Sequence, residues 1–209
     1  PEQFGWPRLW EACESDMAFP AVDHVQAARR VKRQWSLSYP RGCPVLLEKS
    51  IANACRIPFL ERHFSPAHFI HIVRNGYAVA EGIRRKAVPA RWGNHDFPNG
   101  YPIEYCARQW ARTCEVVERD KSFVSNFKQI TYEDLCEDPA GVVGSVLDFL
   151  SLSSVGIQDM IRPQRVHGRT QPIRNLNESS IAAMDEADRA AVRGAVSSWL
   201  ERFGYHEAN

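Results

Sequence analysis

The run Phe69-Ile70-His71-Ile72-Val73 passes without a break into Arg74-Asn75-Gly76, and that junction constrains the fold more than any other stretch of the chain. A short, nearly continuous apolar run suits a strand buried on both faces of a parallel sheet. A helical stripe follows, Val79 and Ile83, closing on Arg84, Arg85 and Lys86, where cations suit the negative end of the helix dipole. The same order recurs twice. Pro44-Val45-Leu46-Leu47-Glu48 precedes a stripe of Ile57, Leu60 and Phe64, and Phe127-Lys128-Gln129-Ile130-Thr131 precedes Tyr132-Glu133-Asp134. Strands alternating with helices predict an α/β fold, a parallel β-sheet flanked by helices.

Further helices complete the layers. A weakly periodic helix is expected over 22–35. Ile103, Cys106, Ala107, Trp110, Cys114 and Val117 recur at helical spacing. Asp138-Pro139 reads as an N-cap and first turn, before Val142, Val143, Val146, Leu147 and Leu150. Asp185 caps a last helix carrying Val192, Val196, Trp199, Leu200 and Phe203, with Gly204 as its stop. The loop over 89–102 carries Trp92, His95, Phe97 and Tyr101, which either line an entrance for a substrate or plug the space under the loop.

The 209 residues suit one domain. Lys and Arg number 26 against 25 Asp and Glu, a formal charge of +1. That balance argues against a nucleic-acid coat, which needs a large basic excess. No apolar run approaches the ~18 residues of a membrane span, and no secretory signal opens the chain. The expected location is cytoplasmic, or a secretory lumen if an N-terminal anchor has been removed. Six cysteines lack any C-x-x-C or zinc-type spacing; they read as reduced core residues, the even count leaving disulfides open for a secretory compartment, and no metal is expected.

Open α/β sheets bind ligands beyond the carboxyl ends of their strands. This places Glu48-Lys49-Ser50, Arg74-Asn75-Gly76 and Tyr132-Glu133 on one rim. A carboxylate, two cations, a hydroxyl and an aromatic face together suit a phosphorylated, adenine-like ligand beside an attacking hydroxyl.

Four stretches, in this order, resemble the sulfotransferases that use 3'-phosphoadenosine 5'-phosphosulfate (PAPS). They are Leu47-Glu48-Lys49-Ser50, Phe69 through Asn75 with its helix, Tyr132-Glu133-Asp134-Leu135 leading through Asp138-Pro139 to Leu147-Asp148-Phe149-Leu150, and His167-Gly168-Arg169-Thr170. The resemblance implies a P-loop NTPase-like sulfotransferase fold, with PAPS as donor and 3'-phosphoadenosine 5'-phosphate (PAP) as product. Glu48 matches the catalytic glutamate of the sugar N-sulfotransferase branch, which accepts the proton of an attacking hydroxyl or amine. Lys49 would lie near the transferring group and offset charge on the bridging oxygen. His95 is the other candidate base, for the case in which Glu48 points away.

Arg74 matches the ligand of the 3'-phosphate, a role suited to its planar fork. Tyr132 matches the residue that stacks on adenine. Gly168 and Arg169 fit a loop closing over the 3'-phosphate, with His167 where the family has lysine. Gly82 stands where many members place a phosphate-binding serine, so one hydroxyl donor is missing unless Arg84 or Arg85 compensates. The Gly-rich phosphosulfate loop has no counterpart here, and the expectation is that it precedes Pro1. The branch implied by Glu-Lys-Ser favours a carbohydrate acceptor, with other small molecules open. Two alternatives remain at this point: a catalytically silent nucleotide-binding or interaction module on the same fold, and an ATP-using P-loop kinase relative, which the lack of G-K-[ST] disfavours.

Overall fold

A computed structural model describes residues 24–206 apart from 41, 44, 93, 94, 167 and 168 and the side chains of Trp92, Gln164, Val166 and Arg169. Helix α1 (Val25–Ser38) leads into an extended stretch and a 3-10 turn, Ile51–Arg56. Helix α2 (Ile57–Phe64) and strand β1 (Phe69–Val73) follow, then α3 (Gly76–Lys86) and α4 (Ile103–Asp120). Strand β2 (Phe127–Thr131) runs straight into α5 (Tyr132–Glu137) and α6 (Pro139–Phe149). The chain ends with α7 (Ile157–Ile161), a hairpin of β3 (Gln164–Val166) and β4 (Arg169–Gln171), α8 (Asn177–Ile181) and α9 (Glu186–Arg202).

Strands β1 and β2 pair in parallel, from Phe69 opposite Phe127 to Val73 opposite Thr131. The two strands therefore end level, and the next residues, Arg74 and Tyr132, emerge side by side. The core lies between α3, α4 and α9: Tyr77, Ala80, Cys106, Ala107, Trp110, Cys114, Val192, Val196 and Leu200 are all buried there. Gly76 makes this packing possible. A Cβ at that position would sit 2.7 Å from the Trp110 ring and 2.9 Å from Leu200, inside van der Waals contact.

Local signals set the helix ends. Asp138 Oδ1 accepts from Gly141 N at 2.9 Å, and Asp185 Oδ1 accepts from Asp188 N at 2.8 Å. At the end of α9, Gly204 adopts φ 71°. Its N–H donates to Glu201 O at 3.0 Å and that of Tyr205 to Leu200 O at 2.9 Å, the paired bonds of a Schellman motif. The left-handed glycine thus turns Tyr205 back onto the body of the molecule.

Several expectations need correction. Residues 45–48 form no strand, and Val45, Leu46 and Leu47 are exposed. A strand exists only by pairing, and no strand among the described residues lies beside this run. Tyr101 does not face an entrance: it is 2 % exposed, packed edge-on to Phe97 at 5.1 Å, and so plugs the core beneath its loop. The face of α6 is half-buried rather than buried. Of the cysteines, Cys55, Cys106 and Cys114 are buried, whereas Cys43 is exposed and Cys136 half-buried. Burial pushes the Cys106 and Cys114 thiols up to about 12, which leaves them inert at neutral pH. Cys13 lies outside the described residues. Among the described residues no cluster of His, Cys, Asp and Glu could hold a metal ion, and no helix is long and apolar enough to cross a membrane.

Candidate active site

The level ends of β1 and β2 create the site. The Arg74 guanidinium lies over the Tyr132 ring, 4.3 Å from its centroid, a cation–π contact that holds the fork from one side. Arg74 Nε donates to Asn177 Oδ1 at 2.7 Å. Among the described residues no hydrogen bond or ion pair engages its two terminal amino groups. Tyr132 is itself anchored: its hydroxyl donates to Arg174 O at 2.8 Å and accepts from Leu176 N at 3.1 Å. Burial first, and a hydrogen bond to Cys136 second, raise its phenol above the ordinary value, with Arg74 pulling the other way. One face of the ring expected to meet adenine is therefore covered by Arg74.

Behind this pair sits Glu133. Its Oε1 accepts from Asn75 N at 3.0 Å and from the side-chain amide of Asn177, and its Oε2 accepts from Tyr205 OH at 2.9 Å. Burial first, then the bond to Glu133, raise the Tyr205 phenol far above its usual value, so Tyr205 stays a donor at any physiological pH. Asn75 also caps α3, its Oδ1 accepting from Tyr77 N at 3.0 Å. The carboxyl ends of β1, β2 and α9 thus converge on one carboxylate. Asn75 and Glu133 lie inside motifs visible in the sequence; Asn177 and Tyr205 carry no local signal, because their partners are 103 and 72 residues away.

The other expected residues are less tightly held. Glu48 and Lys49 are exposed on the extended stretch before the 3-10 turn. Asn53 Nδ2 donates to Glu48 Oε2, and Tyr39 OH donates to Leu47 O at 2.7 Å, so the stretch is tethered at two points. His95 is exposed. No hydrogen bond, ion pair or ring contact among the described residues joins Glu48, Lys49 or His95 to Arg74. Gly82 lies on α3 with open space where a Cβ would point. Arg84 cannot stand in for its missing hydroxyl, since the guanidinium is held by Glu81 at 2.6 Å and by Asp188 at 2.7 Å; Arg85 is exposed at the end of the helix. Arg169 begins β4, paired with Val166, and Gly168 lies outside the described residues.

No curated protein matches the chain significantly. Among solved structures, the sulfotransferase domain from the curacin biosynthetic pathway superposes with a TM-score of 0.56 at 17 % identity, over 87 % of this chain and 69 % of that one. That likeness establishes the fold, an α/β architecture with a parallel sheet flanked by helices. The family model described as "Sulfotransferase family" matches residues 3–155, a span that contains β1, β2, Arg74 and Tyr132. With most of its length matched by that model, the chain belongs to the sulfotransferase family.

Proposed function

We propose that the protein transfers a sulfuryl group from PAPS to a hydroxyl or amine of a carbohydrate-type acceptor. The observation that carries the reading is Arg74: a guanidinium lying over the Tyr132 ring and bonded through Nε, with no hydrogen bond or ion pair among the described residues at its two terminal amino groups, at the carboxyl end of a parallel strand pair. Such a fork suits the two oxygens of a 3'-phosphate, each charged hydrogen bond being worth ~1.5–3 kcal/mol. Gly168 and Arg169 would close over the same phosphate. Gly82 has open space where a Cβ would point but offers no side-chain donor.

In the reaction, an acceptor oxygen or nitrogen attacks sulfur in line while the sulfur bond to the bridging phosphate oxygen breaks. The acceptor proton passes to the Glu48 carboxylate, and PAP departs with the bridging oxygen's charge offset by Lys49. Little covalent help is needed, so position and charge dominate. The exposed setting of Glu48 supports a bulky acceptor that reaches the carboxylate from solvent. The Glu-Lys-Ser stretch supports the sugar-modifying branch.

Radiolabelled PAPS offered with a panel of polysaccharides, aminosugars and small phenols tests this directly. Label is expected on a carbohydrate acceptor, with PAP formed in equal amount. Label on phenols alone would overturn the carbohydrate acceptor, and tight PAP binding without transfer to any acceptor would favour a silent nucleotide-binding module.

A further inference from the structure

Asn177 occupies an unusual electrostatic position, between a guanidinium and a carboxylate. It is 8 % exposed, at the start of α8, with its own backbone N–H fixed by Asn175 Oδ1 at 2.8 Å. Its Oδ1 accepts from Arg74 Nε and its Nδ2 donates to Glu133 Oε1. The cation on one side and the anion on the other leave only one orientation of the amide.

The neutral spacer has a chemical consequence. A carboxylate reaching Arg74 directly would form a forked ion pair and occupy its terminal amino groups. The amide takes up Nε alone. The Tyr132 ring supports the guanidinium from one side and the Nε bond holds it from another, so together they aim the fork. Glu133 holds the amide in turn, and is itself tied to Asn75 N and Tyr205 OH.

We propose that Asn177, backed by Glu133, is a positioning residue that aims Arg74 at the 3'-phosphate of the nucleotide and keeps its terminal amino groups free. This rests on the reading of Arg74 given above. Asn177 touches neither the acceptor nor the sulfuryl group. Its effect on binding is confined to discrimination between nucleotides with and without a 3'-phosphate.

The test is calorimetric titration of the full chain with PAP and with adenosine 5'-monophosphate. Asn177→Ala is expected to weaken PAP ~10-fold, the loss of about one hydrogen bond's worth of orientation, and to leave the monophosphate within about twofold. Asn177→Asp, isosteric but charged, is expected to weaken PAP at least as much, because its carboxylate pairs with Arg74. The double variant Arg74→Ala/Asn177→Ala should bind PAP no more weakly than Arg74→Ala alone, as required of a residue acting through Arg74. Equal weakening of both nucleotides, unchanged PAP affinity in both Asn177 variants, or multiplying losses in the double variant would overturn the proposal. Circular dichroism reports folding, and if the alanine variant does not fold, the aspartate variant decides. Wild-type protein that binds PAP no better than the monophosphate would instead overturn the underlying reading of Arg74.

Discussion

The two halves of the proposed site are built differently. Arg74 and Tyr132 emerge from paired strands and are tied through Asn177, Glu133 and Tyr205 to two other parts of the chain, α8 and the segment after α9. Glu48 and Lys49 sit on an exposed, unpaired stretch tethered at two points. Rigidity therefore belongs to the half proposed to hold the nucleotide, where a fixed charge would meet a fixed phosphate. The acceptor side is left open. The contrast predicts that substitutions near Arg74 alter binding and stability together, whereas substitutions near Glu48 alter turnover alone.

The largest effect that could break this contrast is on turnover. Glu48→Gln is expected to lower kcat by roughly 10²- to 10⁴-fold, the usual contribution of a positioned base, with PAP affinity unchanged by titration. A variant with normal kcat would move the base elsewhere, and His95→Ala would then be the one to lose rate. Next comes packing under the nucleotide side. Gly76→Ala places a methyl group against Trp110 and Leu200 and should cost ~1–3 kcal/mol of stability, read as a fall in the denaturant midpoint.

These two sites also illustrate what the sequence could disclose. Apolar runs ending in Arg74 and Tyr132, and the caps Asp138, Asp185 and Gly204, are local signals, and each is found where the sequence placed it. Val45-Leu46-Leu47 has the same apolar character but pairs with no strand among the described residues, because pairing depends on a neighbour that the run itself does not encode. Tyr101 could equally line or plug its loop until packing against Phe97 decided the matter. The hairpin of β3 and β4 lies in a stretch without apolar alternation, and Asn177 becomes visible only once Arg74 is beside it.

Smaller effects sharpen the comparison. Gly82 faces open space, so Gly82→Ser should be accommodated and supply the missing hydroxyl. PAP affinity should rise by up to ~10-fold, the reach of one hydrogen bond, and an unchanged affinity would place Gly82 away from the phosphate. The smallest effect is on pH. Burial holds His71 below its ordinary 6.5, with a bond to Gln129 and the charge of Glu118 pulling up and Lys121 pulling down. Its Nδ1 is buried with no hydrogen-bond partner among the described residues. Above 6.5 both folded and unfolded chains leave it neutral, so it has no effect; below 6.5 the unfolded chain takes the proton first, and stability falls as pH drops toward the folded value. His71→Gln should flatten the fall in Tm between about pH 6.5 and 5, and an unaltered slope would assign it to other groups.

The most direct measurement is the ratio of PAP to adenosine 5'-monophosphate affinity in wild-type protein and in Arg74→Ala. A fork bonding two phosphate oxygens predicts a strong wild-type preference for PAP that falls ~10²-fold in the variant, while the monophosphate binds both alike. A preference that survives loss of the guanidinium would contradict the account.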